Sequence, residues 1–279
     1  MRAHAEHDWP GDGRGTSPPA EAPMNRARRW IFSSCLLALA FGAVPETASA
    51  DRMGIALRWN RCFGEEGAEF VRSFACDTNL GFESLVGSFA LPGALPDVSG
   101  IEFYLDVMTY GGIPGDAGPA LLPAWWQFRN VGSCRLTSLS LQSVANPADV
   151  VCTPFWNGEE GGGIGAYNLN QPIFGRSARI IGVIAVPLSA LIQASAGVEY
   201  SAFTLTINHA KTVGTGACAG CLEPMQVIFQ YVNVTQGNTP GGVVLTSPID
   251  GDRSRYVLWG TGPVPTQRSS WSAVKSLYQ

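Results

Sequence analysis

The chain has 279 residues, of which 46% are hydrophobic and only 14% charged, with a net charge of −4, 33 glycines, 19 prolines and eight tryptophans. So little charge beside so much Gly, Pro and Trp argues against a helical enzyme or a disordered tail, and for a rigid, turn-rich extracellular β-protein. Beyond residue 50, 13 Lys and Arg face 17 Asp and Glu with no basic run, so nucleic acid is not an expected partner.

Residues 1–23 carry His4, Asp8, Pro10, Gly11, Gly13, Pro18 and Pro19 without periodicity. They read as a disordered leader or as residues upstream of a true start at Met24, and the internal start is favoured. Residues 24–50 have the layout of a secretory signal peptide. Asn25 to Arg29 is basic, Trp30 to Val44 is almost wholly apolar, and Pro45 and Glu46 precede the small residues Ala48-Ser49-Ala50. An apolar run of about 15 residues is short of the roughly 20 that span a bilayer. The mature chain is therefore expected to start at Asp51, to be secreted or periplasmic, and to have no membrane span once the signal is removed.

From Asp51 onward period two dominates. Ile55 to Trp59 and Leu85 to Ala90 are short strand candidates. In Ile101 to Val107 the apolar residues Ile101, Phe103, Leu105 and Val107 share one face while Glu102 and Asp106 share the other, as in a half-buried strand. Trp125 to Phe128 and Leu136 to Leu141 are weaker candidates, and Gly161-Gly162-Gly163 reads as a flexible loop. Ile180 to Val186 is continuously apolar, like a central strand covered on both faces. Leu188 to Ala194 suggests a short helix, Tyr200 to Ile207 and Val227 to Val234 alternate clearly, and Arg255 to Trp259 precedes a second short helix at Ser272 to Leu277. This pattern predicts an all-β fold, an antiparallel β-sandwich of jelly-roll or immunoglobulin/cohesin-like type with one or two short helices. Its expected domain is 51–236, with 237–279 an extension packing on the sandwich.

Six cysteines follow the signal: Cys62, Cys76, Cys134, Cys152, Cys218 and Cys221. All six are expected in disulfides, and nearness along the chain suggests Cys62 with Cys76, Cys134 with Cys152, and Cys218 with Cys221, although six cysteines allow fifteen connectivities. The Cys218-Ala219-Gly220-Cys221 motif lies between strand-like segments rather than at a helix N-terminus, where a reactive thiolate is favoured. It reads as a staple. A redox pair is one alternative, and a zinc site using His209, Cys218, Cys221 and one more ligand is another, which lacks the second ligand pair of finger spacing.

Catalytic motifs are sparse. His209 is the only histidine after residue 50, and no nucleophile elbow, metalloprotease helix, phosphate loop or dinucleotide fingerprint is present. No cofactor or metal is expected. Glycan hydrolysis needs only two facing carboxyl groups, and Glu102, Asp106, Glu159, Glu160 and Asp250 are the candidates. Glu102 and Asp106, four residues apart on one strand, would be separated by roughly 13 Å. Asp250-Gly251-Asp252 has the flavour of a calcium loop without its further oxygen ligands. For binding, Trp125 and Trp126 stand out, because adjacent residues of a strand point to opposite faces and one indole would then face outward as a stacking plate. Trp59, Trp156, Trp259 and Trp271 could extend such a platform.

Several strings are distinctive: Leu57-Arg58-Trp59-Asn60, Phe74 to Asn79, Leu122 to Phe128, Ile207 through Cys221, and Arg268 to Tyr278. Together they resemble a group of uncharacterised secreted bacterial proteins, a likeness that implies export and a shared fold and assigns no functional residue. The strand opening at Gly100-Ile101-Glu102-Phe103 resembles strands of cohesin-type and carbohydrate-binding sandwiches. The expected function is non-catalytic binding or a structural role at the bacterial envelope or exterior, with a polysaccharide or a cell-surface protein as partner.

Overall fold

Alternating side chains organise the described residues into thirteen strands. A computed structural model describes residues 53–110, 121–143, 152–173, 175–238 and 241–260; the signal-like segment 24–50, the leader and the Ser272–Leu277 helix candidate lie outside them. The strands are β1 (Gly54–Trp59), β2 (Val71–Arg72), β3 (Phe82–Ala90), β4 (Leu95–Thr109), β5 (Leu139–Gln142), β6 (Thr153–Pro154) and β7 (Gly161–Leu169). They continue with β8 (Ser177–Ala185), β9 (Ile192–Ala194), β10 (Glu199–Asn208), β11 (Met225–Gln236), β12 (Gly242–Leu245) and β13 (Tyr256–Trp259).

These strands build two sheets that pack as a β-sandwich, with mainly antiparallel neighbours. The smaller runs β1-β3-β10-β5, with β6 beside β10; the larger runs β2-β13-β11-β4-β8-β7, with β12 beside β11 and β9 beside β4. The inward residues predicted for Ile101 to Val107 are the core face of β4, where Ile101, Phe103, Leu105 and Val107 are buried. Both β12 and β13 hydrogen-bond to β11 in the larger sheet, the segment between them bonds to Ile55 of β1 through Ser247 and Ile249, and Val257 and Trp259 join the core.

At the centre of the sandwich, Phe103 of β4 and Phe203 of β10 stack face to face, ring centroids 3.8 Å apart. Each ring lies over a glycine on the neighbouring strand of its own sheet, Phe103 opposite Gly182 and Phe203 opposite Gly87. A Cβ on Gly182 would come within 2.1 Å of the Phe103 ring, and one on Gly87 within 2.2 Å of the Phe203 ring. The interior is thus layered glycine, phenyl, phenyl, glycine, and the missing side chains make room for the two rings within the ordinary spacing of packed sheets, about 10 Å.

Three expectations of local structure are corrected. Trp125 and Trp126 lie in a 3-10 turn, Ala124–Trp126, rather than a strand, so strand alternation does not govern them. Pro123 opens that turn, and the Trp125 amide donates to Ala219 O at 2.8 Å. Gly161-Gly162-Gly163 begins β7, paired with Ala185, Ile184 and Val183 of β8, rather than a loop. Leu188 to Ala194 divides into a 3-10 turn at Leu188–Ala190 and the strand β9.

The disulfides form, but with other partners than chain proximity suggests: Cys62–Cys152, Cys76–Cys221 and Cys134–Cys218. Proximity lowers the entropy of closing a loop, yet in a sandwich the segments that touch are remote in sequence, and the fold decides. Cys218 and Cys221 bolt one loop to two different segments. Gly220 between them has φ +93°, and a Cβ there would meet Pro123 Cβ at 2.3 Å, so glycine alone lets the loop lie against the tryptophan turn.

Tyr167 of β7 is buried and donates its hydroxyl to the Trp126 carbonyl. Burial raises the phenol far above its ordinary value near 10. The folded protein keeps this proton where the unfolded chain loses it, so the contribution of Tyr167 is complete below about pH 10 and declines as pH rises beyond it. Tyr167→Phe is expected to cost about 1 kcal/mol at neutral pH, for one lost hydrogen bond, and to flatten the alkaline fall in stability. Urea melts from pH 7 to 11 check this; an unchanged alkaline slope would assign the fall to other groups.

Candidate functional site

The tryptophans expected as a surface plate are interior. Trp125 and Trp126 are both 0% exposed, and Trp59, Trp156 and Trp259 are also buried. Trp125 stacks on Trp259 at 5.3 Å and meets Trp126 edge to face at 5.2 Å. The Trp125 indole N–H donates to Thr212 Oγ1 at 3.0 Å, that of Trp59 to Leu258 O, and that of Trp259 to Cys221 O. Arg135 lies among them, its guanidinium 3.5 Å from the Trp125 ring centroid, and donates to the carbonyls of Trp125, Asn208 and Ala210. Burial pulls Arg135 down to about 9, still above neutral pH, so it remains a cation that joins the tryptophan turn to the end of β10 and the residues after it. This cluster is structural, and Trp125 and Trp126 cannot meet a ligand there.

His209 is equally committed. Its Nδ1 donates to Leu80 O at 2.7 Å, its Nε2 lies 3.1 Å from Glu83 Oε1, and its ring stacks on Phe74 at 3.7 Å. Glu83 in turn accepts from Arg72, which also pairs with Glu69. His209 and Glu83 are each 5% exposed, and neither ring nitrogen faces a hydroxyl or a thiol. Cys218 and Cys221 are spent in separate disulfides, so they form neither a dithiol redox pair nor a zinc pair with His209. Among the described residues the one cluster with metal-ligand spacing is Cys62, Cys152 and Glu65, and its two sulfurs are bonded to each other.

The candidate acids are dispersed in their roles. Asp106 is buried and held by Arg179 through two parallel bonds of 2.7 and 2.9 Å. Glu160 accepts from the Gly158 amide, and Glu102 accepts from Tyr104. None of these contacts pairs two carboxyl groups.

What the structure does present is the outer face of the larger sheet. Strand pairing sets Tyr231 of β11 directly beside Tyr104 of β4, with Ile181 of β8 next in the row. The next row is Val244, Asn233, Glu102 and Val183. The two tyrosine rings lie 4.8 Å apart at 31° and are partly exposed, while Val183 and Val244 are 45% and 56% exposed. The Tyr104 hydroxyl donates to Glu102 Oε1 at 3.0 Å, and the Arg179 guanidinium stands 5.7 Å from the Tyr104 ring. The bond to Glu102 raises the Tyr104 phenol, and burial followed by the Glu102 charge raises Tyr231, so both remain protonated, hydrogen-bonding groups at neutral pH. Two aromatic plates flanked by a carboxylate, an amide and a guanidinium can carry a ring-shaped polar ligand.

Only Tyr104 is legible in the sequence, on the polar face of Ile101 to Val107 with Glu102 and Asp106. Strict alternation would set Tyr231 on the core face with Val227 and Phe229, and the register shift between Phe229 and Tyr231 turns it outward. Their adjacency is not legible, because it depends on β4 and β11 pairing across more than a hundred residues. No family model, curated protein or solved structure matches the chain.

Proposed function

We propose that the protein is an exported, non-catalytic binding module of the bacterial envelope or exterior, with a polysaccharide as ligand on the outer face of the larger sheet. The observation that carries this reading is the Tyr104–Tyr231 pair, partly exposed beside Glu102 and Arg179 on a broad sheet face. A pyranose presents a flat C–H face to an aromatic ring and hydroxyls at its rim, and this face offers both kinds of partner. Three disulfides are typical of an extracellular or otherwise oxidising compartment. Among the described residues no helix is long and apolar enough to cross a membrane.

The test is a glycan array on the mature chain, followed by titration of the best glycan against the double variant Tyr104→Ala/Tyr231→Ala. Truncating both plates is expected to weaken binding by roughly 30-fold, or about 2 kcal/mol, with little change in thermal stability. A blank array together with a captured surface protein that still needs the tyrosines would change the ligand class. Binding that ignores the double variant would remove the site.

A further inference from the structure

The smaller sheet has its own concave feature. Phe82 and Ser84 stand on the outer face of β3, and the chain leaving β1 turns beside them at Asn60, whose φ is +68°. The Asn60 amide donates to Ser84 O at 2.9 Å, fixing this turn against the strand. Ile249 and Phe63 pack on Ala56 and Ala90 along the same pair of strands, while the Phe82 end is open, with Phe82 61% exposed. Asn60, Arg61, Phe82 and Ser84 line a pocket of about 240 Å³ there.

The chemistry of that pocket is uneven in an informative way. Arg61 has no carboxylate within salt-bridge distance among the described residues. The acids of its own loop are turned elsewhere or exposed: Glu65 accepts from the Cys62 amide, Glu69 pairs with Arg72, and Glu66 is exposed. Gly67, at φ +85°, lies against the Arg61 side chain, and a Cβ there would meet Arg61 Nε at 3.2 Å. The residues lining the pocket thus bring a guanidinium, an amide and a hydroxyl to the same place as an exposed aromatic ring.

We infer that this pocket is a second binding site, separate from the tyrosine face, and that it takes the carboxylate-bearing ring of an acidic sugar. The planar fork of Arg61 matches a carboxylate through two parallel bonds. The Phe82 ring supplies the plate for the sugar's C–H face, and Asn60 and Ser84 reach its hydroxyls. The volume is below the roughly 300–1,000 Å³ of pockets that enclose drug-sized ligands, which suits one monosaccharide unit. A single cation beside an apolar plate favours a singly charged ring acid over a phosphate.

The test is calorimetric titration of the protein with methyl glucuronide, with methyl glucoside as the neutral match and an N-acetyl dipeptide as a carboxylate without a sugar ring. The glucuronide is expected to bind about tenfold more tightly than the glucoside and to weaken as salt rises. Arg61→Gln should erase that preference, Phe82→Ala should weaken both sugars, and Tyr104→Ala/Tyr231→Ala should leave both unchanged. Absent glucuronide binding, equal binding of the two sugars, a preference that survives Arg61→Gln, or a dipeptide that binds as well as the glucuronide would each overturn the inference. If Arg61→Gln does not fold, the parent's preference for the glucuronide and its fall with salt, together with the loss of both sugars in Phe82→Ala at an exposed position, decide the matter. Loss of glucuronide binding in the tyrosine double variant would place the acidic sugar on the other sheet and also overturn the second site. A result confined to Arg61 and Phe82 leaves the polysaccharide reading to its own test.

Discussion

Removing the Cys76–Cys221 bridge by Cys76→Ala/Cys221→Ala should lower stability by about 5 kcal/mol, and reducing all three bridges should leave the chain unfolded at 37 °C. The bridge joins residues 145 apart in sequence. In the chain-entropy model a closed loop of that length restricts the unfolded state by about 5 kcal/mol, whereas the four-residue ring of a Cys218–Cys221 pair would contribute only about 2. Cys62–Cys152 and Cys134–Cys218, at separations of 90 and 84, contribute about 4.5 kcal/mol each on the same footing. Domains of this kind are stable by only about 5–15 kcal/mol in total, so the loss of one long bridge is a large fraction of the whole. The double alanine variant avoids leaving a lone thiol, and urea melts of it beside the oxidised parent measure the difference. A loss below about 1 kcal/mol would mean that the unfolded chain is already restricted there and that the loop-length account is wrong for this protein.

The second large effect is expected where sequence rules predict a gain. Glycine weakens a strand, so replacing one by alanine within a sheet ordinarily helps. Here Gly182→Ala and Gly87→Ala should each cost about 3 kcal/mol, the upper part of the range for overpacked cores. The new methyl would strike Phe103 or Phe203, and neither ring can withdraw because each is backed by the other at 3.8 Å. Phe103→Ala alone should cost about 3–5 kcal/mol through the cavity it leaves. The decisive measurement is the double variant Gly182→Ala/Phe103→Ala, whose loss should fall short of the sum of the singles because the methyl occupies part of the vacated space. Additive losses would show that the glycine and the ring do not constrain each other.

Much of this architecture is legible in the sequence, and the remainder has physical reasons for being hidden. Alternation locates β4, β10 and β11 because one face of each is core, and a buried face imposes period two. It fails at Trp125 and Trp126, where Pro123 and the neighbouring Cys218–Cys221 loop fold two large side chains into the same interior cluster. It fails again at Gly161 to Gly163, since a strand of glycines carries no side-chain pattern to read. The site is hidden for a related reason. Tryptophan attracts notice in the sequence because it is large, and for that same reason it fills the core, while the surface plates are smaller tyrosines that become neighbours only through sheet pairing.

The cysteine connectivity bears on biogenesis. Numbered from Cys62 onward, the six pair first with fourth, second with sixth, and third with fifth. A polypeptide oxidised in the order in which it emerges would join first to second, third to fourth and fifth to sixth, and every one of those bonds is wrong. Where oxidation runs ahead of folding, the native set is reached by thiol–disulfide exchange, a thiolate attacking a misplaced bridge and releasing the correct partner. Oxidant alone does not supply that shuffling, so refolding of the reduced chain in oxidant without a thiol donor is expected to yield less correctly linked protein than refolding in a thiol–disulfide mixture.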